Sequence, residues 1–92
     1  MTKTLEIRIY GRVFNVGFRR YVYRYATENN IVGYVENDWA DESVHIIAEG
    51  EEKDLDHFSI LCGEGTPYSL VTDIKTEARE VSGNYKEFRQ IR

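Results

Sequence analysis

Leu5, Ile7 and Ile9 alternate with Glu6, Arg8 and Tyr10, the period-two pattern of a strand with one buried face. The pattern predicts a strand that ends near Arg12 or Val13. After the glycine-flanked loop Val13 to Gly17, Phe18, Val22, Tyr25 and Ala26 fall at helical spacing, with Asn29 the one polar residue on that stripe. A helix of about three turns is expected, closing near Asn29-Asn30. Val32 to Glu36 is rich in β-formers, and Val44, Ile46 and Ala48 alternate with Ser43, His45 and Ile47, so Asn37 to Glu42 reads as a hairpin turn. Past Gly50, the acids Glu51, Glu52 and Asp54 open a second helix with Leu55, Phe58 and Cys62 on one face, and Gly63 to Pro67 stops it. Val71 to Glu80 is a further strand. Phe88 to Ile91 forms a short closing strand after a turn at Ser82-Gly83-Asn84.

The order β-α-β-β-α-β, with right-handed crossovers and a short extra C-terminal strand, gives an antiparallel sheet with two helices on one face. This is the ferredoxin-like α/β sandwich, in the α+β class. That architecture carries enzymes, RNA binders and regulatory modules alike, so function has to be argued from a site.

Composition narrows the picture. Ninety-two residues with 41% hydrophobic and 13% aromatic content suffice for one core, and a single domain over residues 1–92 is expected. The one cysteine, Cys62, cannot form an internal disulfide, and no apolar run of the kind a signal peptide needs follows Met1-Thr2-Lys3-Thr4. Cytoplasmic localisation is expected. No stretch approaches the apolar length that spans a bilayer. A net charge of -4 repels polyanions, against nucleic-acid or anionic-membrane binding.

Charge placement singles out one region. The second helix opens on acids, where the helix dipole of about half a positive charge favours them. The first opens Phe18-Arg19-Arg20, with cations where the dipole and the free N–H groups are already positive. An anion among them resolves the conflict, and strand, glycine-containing loop and helix N-terminus is how backbone amides cradle phosphate. The alternative is that both arginines point into water or pair with surface acids. The loop lacks the Gly-Lys-Ser/Thr of a P-loop, and Gly11 and Gly17 are wrongly spaced for a dinucleotide fingerprint. In the proposed fold the end of the second strand, at Asn37, emerges at the same sheet edge, where its amide could orient a water; the alternative is an ordinary turn starter before Asp38.

Gly11-Arg12-Val13-Phe14-Asn15-Val16-Gly17-Phe18-Arg19 resembles the acylphosphatase signature Gly-Arg-Val-Gln-Gly-Val-Gly-Phe-Arg at seven of nine positions. Gly33-Tyr34-Val35-Glu36-Asn37 is similar to that family's second motif, Gly-Trp/Tyr-Val-x-Asn, and the resemblance continues through Val44 to Gly50 and Tyr85 to Phe88. It implies an enzyme that hydrolyses acyl phosphates to carboxylate and inorganic phosphate without metal or organic cofactor. Arg19 would bind phosphate, Asn37 would position the attacking water, and the loop Asn15, Val16, Gly17 and Phe18 would complete the cradle. Small acyl phosphates are the implied partners of an expected monomer. Met1 close to the first strand favours a free-standing enzyme over the acylphosphatase-like domain of larger carbamoyl-transfer maturation proteins. The sequence departs from the signature where Phe14 and Asn15 replace Gln-Gly, and where the turn after Asn37 lacks Asp-Gly and is one residue longer. Asn15 is among the few residues that tolerate positive φ, at the cost of bulk. Asp38 brings negative charge near a site meant for an anion. A noncatalytic anion-binding module is the alternative reading.

Other chemistry-bearing residues read as structural. His45 is expected to face solvent and His57 to lie beside the apolar stripe of the second helix. No Cys/His/carboxylate spacing suggests a metal site. Cys62 reads as core rather than nucleophile. Tyr21 and Tyr25 fall beside the core stripe, which favours packing over the base stacking of an RNA binder, and the strand motif of an RNA-recognition module is absent.

Overall fold

The computed structural model describes residues 1–91. Along them run β1 (Thr2–Arg12), α1 (Phe18–Glu28), β2 (Val32–Asp38), β3 (Ser43–Glu51), α2 (Glu52–Glu64), β4 (Leu70–Arg79) and β5 (Phe88–Gln90). The strands make one sheet in the order β4-β1-β3-β2-β5. The first four strands pair antiparallel, whereas β5 lies parallel to β2 with Val35 opposite Gln90. The expected ferredoxin-like order is present with its extra strand, and that strand makes the sheet mixed.

Alternation and helical spacing converge on one core. Ile7 and Ile9 of β1, Val35 of β2 and Val44, Ile46 and Ala48 of β3 meet Phe18, Val22 and Ala26 of α1 and Leu55, Phe58 and Cys62 of α2 in a single buried cluster. Both helices therefore cover the same face of the sheet. Tyr21 Oη donates to the Leu61 carbonyl at 2.6 Å and ties α1 to α2; burial pushes its phenol up to about 12. Cys62 is fully buried, and burial pushes its thiol up, so it is a core side chain held protonated. Asn29, polar on an apolar stripe, closes α1: its Nδ2 donates to the Tyr25 carbonyl at 2.7 Å, and Asn30 follows at φ 59°. Among the described residues no helix is long and apolar enough to cross a membrane.

His45 departs from its expected exposure, being only 7% exposed. It points away from the helices, as alternation requires, but β3 is the middle strand and long neighbours close over that face. His45 Nε2 lies 2.6 Å from Glu6 Oε2 and Nδ1 lies 3.1 Å from Glu36 Oε2, with the Tyr34 ring 5.8 Å away. Arg79 of β4 pairs with the same Glu6. Glu49 is buried there too, accepting from Thr4 Oγ1 at 2.7 Å and Ser82 N at 3.0 Å. Alternation tells which way a side chain points, not whether that side is wet. His57 is exposed.

β4 presses on the end of β1, where the pairing register shifts between Tyr10 and Gly11. Gly11 has φ +126°, and a Cβ there would lie 2.0 Å from the Leu70 carbonyl oxygen. Gly11→Ala should therefore destabilise the fold by about 2 to 4 kcal/mol. Urea unfolding checks this, and an unchanged midpoint would show that the two strands do not approach so closely.

The far face also sets an acid limit. The Arg79 hydrogen bond holds the Glu6 carboxyl below its ordinary value, with burial opposing and His45 assisting. Burial raises the Glu49 carboxyl, but the hydrogen bonds from Thr4 and Ser82 outweigh it and the net shift is downward. A lowered folded-state value adds stability above the ordinary glutamate value of 4.5, and that contribution is lost as pH falls through the lowered value. The melting temperature should decline below about pH 4.5, and Glu6→Gln should flatten that decline; an equally steep decline in the variant would remove Glu6 from the account.

Candidate active site

The loop after β1 must reverse the chain and launch α1, and it does so through left-handed backbone. Asn15 has φ 59°, and Gly17, the N-cap of α1, has φ 75° and ψ 17°. Asparagine thus holds the positive φ that glycine would ordinarily supply. The first helical hydrogen bond runs from Tyr21 N to the Gly17 carbonyl at 3.1 Å, so the amides ahead of it have no acceptor within the helix. No side chain caps this end and no acid lies in its first turn, whereas α2 carries Glu52 and Asp54 in the matching place.

Phe18 is 1% exposed and fixes the helix start in the core. Arg19 and Arg20 follow it at the surface end. Among the described residues neither forms an ion pair, and Arg20 is exposed. Arg19 Nη1 donates instead to the neutral Ile91 carbonyl at 2.7 Å. That bond holds the guanidinium beside β5, and among the described residues no acid compensates its charge.

Asn37 reaches the same end of the sheet from β2. The hairpin turn is shorter than expected, because Asn37 and Asp38 pair with Val44 and Ser43. Asn37 is therefore a strand residue on the face of Val35, the helix side. Among the described residues its buried Oδ1 has no hydrogen-bond partner, a state that costs about 1 to 3 kcal/mol if nothing donates to it.

These residues line a cavity of about 80 Å³ formed by Val13, Asn15, Gly17, Phe18, Arg19, Arg20, Asn37 and Gln90. That exceeds the roughly 10–15 Å³ needed for one water. Of the sequence-derived candidates, Asn15, Gly17, Phe18, Arg19 and Asn37 come together here. Val16 is absent from the lining; it packs against the core, and its carbonyl accepts from Thr66 Oγ1 at 3.5 Å. Gln90 was not singled out from the sequence. Its only signal is topological: β5 beside β2 brings its end toward the end of the strand that carries Asn37.

Asp38 does not intrude on the cavity. Alternation turns it to the far face, where its Oδ2 accepts from Arg8 Nη1 at 2.9 Å and its Oδ1 from Asp41 N at 3.1 Å. The Arg8 hydrogen bond, with that from Asp41 N, holds its carboxyl below the ordinary value. Tyr10 Oη donates to Asp41 Oδ2 at 2.8 Å and moors the same turn. Above it the Trp39 ring lies 4.4 Å from the Phe14 ring at 41°.

The geometry defines an α+β sandwich with a small cavity between the end of its first strand and the start of its first helix. Comparison gives that class a family. The acylphosphatase family model matches residues 5–90. An acylphosphatase of Caldanaerobacter subterraneus subsp. tengcongensis is 38% identical over 89 residues, covering 97% of this chain and 98% of its own. The crystal structure of an acylphosphatase from Bacillus subtilis superposes with a TM-score of 0.92 at 34% identity, over 100% of both chains. Full-length HypF, in its phosphate- and nucleotide-bound form, contains a similar region: TM-score 0.89 and 33% identity over 99% of this chain and 12% of that one. The chain belongs to the acylphosphatase family.

The left-handed loop carries its own test. Asn15→Ala should cost about 1 kcal/mol of stability, whereas Asn15→Gly should cost less, since only glycine relieves the strain at φ 59°. Equal losses in thermal or urea unfolding would show that this backbone angle is not what selects the residue.

Proposed function

We propose that this protein hydrolyses acyl phosphates, releasing a carboxylate and inorganic phosphate, with the phosphoryl group in the cavity between α1 and Asn37. The observation that carries the reading is the pairing, across one small cavity, of a cationic helix start with a buried amide oxygen, neither of which has a compensating partner among the described residues. The amides of Asn15, Gly17 and Phe18 and the Arg19 guanidinium hold the phosphoryl oxygens. The Asn37 oxygen accepts a hydrogen bond from the attacking water and aims its lone pair at phosphorus.

The chemistry asks little more of the protein. Water oxygen bonds to phosphorus as the bond from phosphorus to the acyl oxygen breaks, and that electron pair leaves with the carboxylate. The proton lost by the water passes to a phosphoryl oxygen. A carboxylate leaves as a weak base of ordinary pKa about 4, so no general acid is needed. Phosphoryl transfer rests on positioning and charge stabilisation, which a rigid cradle, one guanidinium and one amide supply. Neither His45 nor Cys62 has a part: both are buried away from the cavity lining.

A second reading follows from the likeness to one segment of HypF: an acylphosphatase-like module that binds the phosphoryl group of a larger reaction. Phosphate-induced thermal stabilisation without turnover would distinguish it.

Purified protein should hydrolyse a small aromatic acyl phosphate in EDTA, with inorganic phosphate as a competitive inhibitor. Arg19→Gln should lose both binding and rate, and Asn37→Ala mainly rate, each by about 2 to 4 kcal/mol in the relevant barrier. No hydrolysis above background overturns the enzymatic reading. Full activity in Asn37→Ala removes the water-positioning role alone.

A further inference from the structure

We propose that the contact between Phe14 and Trp39 is a positioning device, holding the phosphate loop at a fixed distance from Asn37; this rests on the acyl-phosphate reading above. The two departures from the family signature are Phe14 in the loop and the lengthened turn that bears Trp39. They meet in space, ring to ring at 4.4 Å. Each lies within two positions of a cavity residue: Phe14 precedes Asn15, and Trp39 follows Asn37 by two positions.

Nothing polar duplicates this link. Among the described residues no hydrogen bond joins residues 13–17 to β2 or its turn; the loop's hydrogen bonds run from Val13 N back to Gly11, from Tyr21 N to the Gly17 carbonyl and from Thr66 Oγ1 to the Val16 carbonyl. The turn is firm on its other side, where Arg8 and Tyr10 of β1 hold Asp38 and Asp41. Trp39 is thus a post set on a moored turn, 62% exposed itself. Phe14 leans on it from the loop while packing on the core behind. A bound phosphoryl group would be placed by the loop and the attacking water by Asn37, so the separation of these two segments sets the line of attack. In such an arrangement a misplacement of about 1 Å can cost on the order of 10²-fold in rate.

Phe14 and Trp39 act through Asn15 and Asn37, and kinetics separates that role from general support. Trp39→Ala, at an exposed site, should keep the fold and lower kcat about tenfold while leaving KM and phosphate inhibition within about twofold. Trp39→Phe should recover most of the rate. Phe14→Ala should lower kcat similarly, and the double variant should be no worse than the poorer single one. Trp39 is the only tryptophan, so its fluorescence anisotropy should fall in Phe14→Ala. With an active wild type, unchanged kcat in Trp39→Ala, additive losses, or unchanged anisotropy in Phe14→Ala overturns the inference and leaves the proposed function standing. An effect confined to KM also overturns it, because it would mean direct substrate contact. An inactive wild type overturns both.

Discussion

The burial of Phe18 is the constraint on which the site depends. It is the first residue of α1 and among the largest fully buried side chains, so seating it in the core fixes both where the helix begins and how its first turn is rotated. The next residue is Arg19, and its direction follows. The loop from β1 must then reach that start within a few residues, which forces left-handed backbone at Asn15 and Gly17. A hydrophobic contact thus dictates the placement of a cation and of a set of free amides. The electrostatics of the pocket are built from behind, by packing.

The charge pattern around the pocket is sorted by the two faces of the sheet. The molecule carries a net charge of -4, yet its acids near the cavity are turned away or neutralised. Asp38 and Asp41 belong to the far face and share Arg8. Glu6 and Glu36 flank His45 on that face as well. Strand alternation therefore separates two electrostatic regimes across one layer of backbone, and among the described residues no acid pairs with the arginines that open α1.

Much of this was legible in the sequence because the signals are local. Alternation in β1 and β3, the stripe of α1, and the glycine-bounded stop of α2 each lie within one segment. The order of elements then gave the fold. The motif from Gly11 to Arg19 and the strand end at Asn37 pointed to Asn15, Gly17, Phe18, Arg19 and Asn37, which line the cavity, and to Val16, which does not. What escaped depends on residues far apart in the chain. His45 is buried because β1 and β2 flank its strand. The partner of Asp38 is Arg8, thirty residues earlier, and Gln90 reaches the cavity only through the parallel β5. Phe14 and Trp39 looked like separate irregularities, since nothing in a linear reading says they touch.

The placing of β4 and β5 at the two borders of the sheet has a bearing on self-association. An unpaired border strand offers its backbone groups to any similar chain. β5 spans only Phe88–Gln90, too short to template a lasting ladder. β4 is long and almost wholly exposed, but Asp73, Lys75, Glu77 and Arg79 line one side of it, and an incoming strand would have to accommodate that alternating row of opposite charges. Brevity limits one border as a template, and ionic patterning restricts which strands the other could accept.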